Sequence, residues 1–109
     1  MAMTPEKKVK QKVAKLLKEA GAYYFFPATG GYGRSGVPDI VGCLDGKFFG
    51  IECKAGKNTT TALQELELRK IRESGGRAFV VNESRAATFK EIFLDVYNLS
   101  YLGEAPPED

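Results

Sequence analysis

Residues 36–54 read Gly-Val-Pro-Asp-Ile-Val-Gly-Cys-Leu-Asp-Gly-Lys-Phe-Phe-Gly-Ile-Glu-Cys-Lys. Two apolar, β-rich runs, 39–44 and 47–54, flank Asp45-Gly46, and Asp-Gly between two such runs signals a two-residue hairpin turn. With Asp45 and Gly46 at the centre of the turn, cross-strand partners have numbers that sum to 91: Leu44 faces Lys47, Cys43 faces Phe48, and Asp39 falls opposite Glu52. Directly opposed side chains share a sheet face with Cβ atoms about 4.5–5.5 Å apart, and Lys54 joins that face by strand periodicity. The hairpin therefore gathers Asp39, Glu52 and Lys54. Ile40, Leu44, Phe49, Ile51 and Cys53 take the opposite face. Because Val41, Cys43 and Phe48 on the charged face are also apolar, both faces are expected to be covered by other elements, as in a three-layer α/β sandwich.

The flanking sequence supplies that cover. Thr4 and Pro5 form a helix start, Val9, Val13, Leu16, Leu17 and Ala20 recur at helical spacing, and Gly21 closes the helix. Residues 22–26 read as a strand, and 29–36, half glycine, as a flexible loop. After Lys54, Thr61 to Gln64 fits a capping box, with a helix to about Gly75. Residues 77–82 form a short apolar strand. Ser84 is expected to cap a last helix, with Phe89, Ile92, Phe93 and Val96 as its buried stripe and an end near Asn98; residues 103–109 are expected to fray. The order is αβββαβα in one domain spanning 1–109, with a core of about 5–98 and a central mixed four-stranded sheet.

Composition limits the chemistry. The chain has 109 residues, no histidine and two cysteines. Without histidine there is no Ser-His-Asp triad, no Cys-His pair and no histidine-bearing zinc site, so acid–base work falls to carboxylates, lysine, water and thiols. Cys43 and Cys53 point to opposite sheet faces, which argues against a disulfide between them and suits small core residues better than nucleophiles. No run of about 18 apolar residues is present, so no membrane partner is expected and the cytoplasm is the expected location. The glycine-rich loop lacks Gly-Lys-Ser/Thr, so no nucleotide cofactor is expected. Net charge is +2, divided into +7 over residues 1–90 and −5 from Glu91 onward. That polarity reads either as an ordinary solvated lysine face or as a basic front for a polyanion.

Two carboxylates opposed on a half-buried sheet repel each other. A divalent cation removes the repulsion, and hard oxygen ligands suit Mg²⁺ or Mn²⁺. The alternative is a pair of solvated strand ends with Lys54 as neutralising partner, or a bulge that breaks the register.

Gly36-Val37-Pro38-Asp39, the hairpin, and Glu52-Cys53-Lys54 resemble the PD-(D/E)xK nuclease signature. With Glu6 on the first helix, Ile51 before Glu52 and Gln64 opening the next helix, residues 5–95 resemble the stand-alone VRR-NUC (virus-type replication-repair nuclease) proteins of phages and bacteria. The resemblance implies the restriction-endonuclease-like α/β/α fold and an Mg²⁺- or Mn²⁺-dependent endonuclease with one or two ions per site. It also implies that Asp39, Glu52 and the Cys53 carbonyl ligate the metal. Lys54 would activate water and steady the transition state, Glu6 would be a further carboxylate, and Gln64 would position water or substrate. Glu6 also has a helix-dipole explanation, and Gln64 completes a capping box. The expected partner is DNA, branched or junction DNA above all, with Lys8, Lys12, Lys15, Tyr32, Arg34, Ser35 and Lys57 as candidate contacts; a merely mobile loop is the other reading for Tyr32 and Arg34. A homodimer cutting four-way junctions is the leading expectation, with Tyr97, Leu99 and Tyr101 as candidate interface residues and core packing as the other reading for those three. The alternatives are a nickase or flap-type nuclease, a non-catalytic DNA-binding module, and a purely structural component.

Overall fold

Thr4 caps the first helix as its sequence suggests: its Oγ1 accepts from Lys7 N at 3.2 Å, Pro5 occupies the first turn, and helix α1 runs Pro5–Glu19. In the computed structural model, which describes residues 3–28 and 34–98, the chain turns at Gly21, whose φ of 80° suits a residue without Cβ. Strand β1 (Tyr23–Phe25) follows, then β2 (Ile40–Leu44) and β3 (Lys47–Cys53).

The hairpin register is the one that the turn dictates. Leu44 pairs with Lys47, Cys43 with Phe48 and Ile40 with Ile51, and Asp45 and Gly46 both have positive φ (53° and 77°), as a type I′ turn requires. Helix α2 (Ala62–Glu73) opens with the complete Thr61–Gln64 capping box, and β4 (Arg77–Val81) returns parallel to β3. The sheet order is β1-β2-β3-β4, antiparallel except for the last pair.

One face of the sheet carries the main core. Ile40, Phe49, Ile51, Cys53 and Val81 pack there with Val9, Val13, Leu16 and Leu17 of α1 and with Phe89 and Phe93. On the other face α2 lies close over β3: a Cβ on Gly50 would sit 2.6 Å from Ile71 Cδ1, so a larger residue there would have to turn that side chain aside. Cover of that face is partial. Tyr23, Phe25 and Phe48 remain exposed, because α2 packs on β3 and β4 rather than on β1.

The C-terminal helix departs from expectation. It is broken into α3 (Glu83–Ala86) and α4 (Phe89–Asn98), and the first is capped by Asn82, not Ser84. Asn82 Oδ1 accepts from Arg85 N at 2.9 Å and also from the Ser84 hydroxyl at 2.8 Å, so Ser84 donates to the cap it was expected to be. The break lets Phe89 and Phe93, both buried, cluster with Phe79 at centroid distances of 5.3–5.6 Å. Ile92, expected in the buried stripe, faces solvent instead. The Val96 and Tyr97 side chains, Leu99, Tyr101 and the tail 103–109 lie outside the described residues, as does Tyr32. Both cysteines are free.

Candidate active site

Three elements converge at the open end of the hairpin. Glu6 comes from the first turn of α1, Asp39 from the residue before β2, and Glu52 from the penultimate position of β3; one carboxylate oxygen from each lies within 4.8 Å of the others. Asp39 is held by its backbone neighbour: Cys53 N donates to Asp39 Oδ2 at 2.8 Å. The register therefore continues past Ile40–Ile51 to the carboxylates as a side-chain bond rather than a ladder bond.

Glu52 is almost wholly buried, at 2 % exposure. Its Oε2 accepts from Gln64 Nε2 at 2.8 Å and lies 3.6 Å from Lys54 Nζ. Its Oε1 is buried and has no hydrogen-bond partner. An orphaned carboxylate oxygen in the interior is costly. Burial first, then the neighbouring charges of Asp39 and Glu6, pushes the Glu52 carboxyl up to about 7, with Lys54 opposing them. The residues thus fit a hard divalent cation: three carboxylates converge, one of them with an unsatisfied oxygen.

Gln64 completes the capping box that its sequence position suggests and also reaches Glu52. Its Oε1 accepts from Thr61 N at 2.9 Å to complete the capping box, and its Nε2 holds Glu52. The helix cap and the site are one hydrogen-bond chain. Cys53 points into the core, where burial and then Asp39 and Glu52 push its thiol up to about 12, so it is no nucleophile near neutral pH.

The remaining candidates scatter. Arg34 is not free in the loop: its Nε and Nη2 donate to Glu67 Oε2 and Oε1 at 3.0 and 3.2 Å, a bidentate pair with a buried carboxylate on α2. Glu67 raises the Arg34 pKa further by hydrogen bond and charge. Nothing in the sequence links positions 33 residues apart. Ser35 and Lys57 are exposed. Lys8, Lys12 and Lys15 are exposed on the flank of α1 away from Glu6, where they line a shallow depression with Met3 and Gln11. Lys10, outside the expected set, approaches Asp39 instead, at 4.0 Å.

The sequence model described as archaeal Holliday junction resolvase (Hjc) matches residues 6–97. The chain belongs to the Hjc family. Hjc is a PD-(D/E)xK nuclease family, so the superfamily reached from residues 36–54 is the right one. Among solved structures, the chain is similar to Hjc from Archaeoglobus fulgidus, a Holliday junction resolvase from an archaeal hyperthermophile. The TM-score is 0.54 at 22% identity, over 71% of this chain and 69% of that one. At that identity the likeness is one of fold, and it confirms the α/β domain with a mixed four-stranded sheet. No curated protein sequence matches the chain. Among the described residues, no helix is long and apolar enough to cross a membrane.

Proposed function

We propose that this Hjc-family chain is a metal-dependent endonuclease that resolves four-way DNA junctions. The observation that carries the reading is Glu52: a buried carboxylate with an orphaned oxygen, facing Asp39 and Glu6 and flanked by Lys54. A structural role leaves such an oxygen uncompensated; a divalent ion satisfies it.

Asp39 and Glu52 would hold Mg²⁺ or Mn²⁺, with the Cys53 carbonyl completing the set and Glu6 serving as a further ligand or a share of a second ion. Bound there, the cation supplies Lewis-acid chemistry, lowering the pKa of a water and offsetting charge on phosphoryl oxygens. Lys54, anchored on Glu52, would present its ammonium where negative charge develops on the phosphoryl group and would orient the attacking water, whose proton leaves to bulk solvent. Gln64 fixes the Glu52 carboxylate, and the Cys53 N–H fixes that of Asp39, so neither must reorganise during the reaction.

A homodimer suits this substrate, because two sites related by a two-fold axis address the two strands of a symmetric junction. Glu6, the Gly-x-Pro-Asp form of residues 36–39, Ile51 before Glu52 and Gln64 support a VRR-NUC-like enzyme, and that resemblance supports a phage or bacterial setting in the cytoplasm.

The test is incubation of the full chain with four-way junction, flap, nicked and linear duplex DNA plus Mg²⁺ or Mn²⁺. Paired nicks across the junction are expected. They should be abolished by EDTA and by Asp39→Ala, and slowed at least about 100-fold by Lys54→Ala, the scale of a lost donor to transition-state charge. Cleavage that survives EDTA overturns the mechanism. Preference for flaps or nicks selects a repair-type nuclease, and DNA binding without cleavage selects a non-catalytic module.

A further inference from the structure

Lys10 stands at the mouth of the carboxylate cluster. Its Nζ lies 4.0 Å from Asp39 Oδ1 and 5.7 Å from the centroid of the Phe26 ring. It lines an open depression with Thr4, Glu6, Lys7 and Asp39. Helical spacing puts Glu6 and Lys10 one turn apart on the same face of α1. Asp39 Oδ2 already accepts from Cys53 N, so the oxygen nearest Lys10 is the less committed of the two. A lysine with two-thirds of its side chain covered, held over an aromatic face and beside a carboxylate, is not simply reaching for solvent.

We infer that Lys10 is the counter-ion of Asp39 in the metal-free protein, and that a divalent cation held by Asp39, Glu52 and Glu6 displaces its ammonium onto a DNA phosphate beside the site. The inference rests on the metal-site reading above and adds a coupling to it. Without DNA, Lys10 and the metal compete for Asp39 Oδ1. With metal bound, the freed ammonium sits at the edge of the depression, where the backbone of a strand entering the site passes. Metal binding then tightens DNA binding, and by linkage DNA tightens metal binding through the same side chain. No covalent bond changes; one cation replaces another at a carboxylate oxygen.

The experiment is Mn²⁺ titration of the full chain without DNA, followed by electron paramagnetic resonance of the free ion. Wild type is compared with Lys10→Met, Lys10→Arg and Lys18→Met. Lys10→Met should bind Mn²⁺ at least about fivefold more tightly, the weight of one unit charge about 4 Å from another in water. Lys18→Met removes the same charge from the far end of α1, and should change the affinity less than about twofold because salt screens it. Lys10→Arg should stay near wild type. In a Lys54→Ala background, which slows strand cleavage, Mn²⁺ should strengthen four-way-junction binding less when Lys10 is also Met. Equal or weaker Mn²⁺ binding by Lys10→Met overturns the inference while leaving the metal site standing. Failure of wild type to bind Mn²⁺ overturns both.

Discussion

At the scale of the residue, Glu52 carries the largest electrostatic strain in the site, and its pH dependence exposes it. The folded-state pKa of about 7 lies above the ordinary 4.5, so between those values the native state binds more protons than the unfolded chain does. Stability from this group is complete below about pH 4.5 and is lost as pH rises through 7. A shift from 4.5 to about 7 corresponds to about 3 kcal/mol at most. The metal-free protein should therefore unfold in less urea at pH 8 than at pH 5.5. Glu52→Gln, whose amide does not titrate, should flatten the difference, and Mg²⁺ should restore stability more at pH 8 than at pH 5.5. Parallel urea curves for wild type and Glu52→Gln across that range would show that the carboxyl is not strained.

At the scale of the element, the site depends on how the segment before β2 meets the start of α2. Gly36 has a φ of +85°, and a Cβ there would lie 2.6 Å from the carbonyl carbon and oxygen of Leu63 and 2.9 Å from Gln64 N. These are backbone atoms of the first turn of α2, so they yield only if the helix start moves. Arg34 pins the same segment to buried Glu67 further along α2. Gly36→Ala should cost about 1–3 kcal/mol in urea unfolding, from left-handed strain and the clash. It should also lower junction cleavage at saturating metal, because Gln64 loses its reach to Glu52. Full activity in a destabilised Gly36→Ala protein would separate the helix start from the chemistry.

The elements also show where sequence reasoning reaches and where it stops. The hairpin was legible because a two-residue turn fixes register by itself, and with it the neighbourhood of Asp39, Glu52 and Lys54. Gln64 was legible as a cap because capping is local; its bond to Glu52 could be suspected only through the family resemblance. The Arg34–Glu67 pair and the Lys10–Asp39 approach join residues far apart in the chain, and no periodicity encodes them. The cap of α3 was assigned to Ser84 rather than Asn82 for a local reason: both are good caps, and their mutual hydrogen bond decides which one acts.

At the scale of the whole molecule, charge is divided along the chain and around α1. The +7 of residues 1–90 includes two sets of α1 lysines on different flanks: Lys7 and Lys10 beside the carboxylates, and Lys8, Lys12 and Lys15 around the other side. On the proposed function, a duplex arm at the site would pass Lys7 and Lys10, which line the depression beside Glu6 and Asp39. It reaches the other row only if it wraps over α1, as a junction with several arms can and a single linear duplex need not. Each phosphate neutralised contributes about −0.9 to the slope of log K against log salt. Replacing Lys8, Lys12 and Lys15 with alanine should therefore lower the slope for four-way-junction binding by up to about 3, and change that for linear duplex less. Equal losses on both substrates would make the row a general phosphate track, and no loss on either would leave it as a solvated helix face with all DNA contact on the Glu6 side.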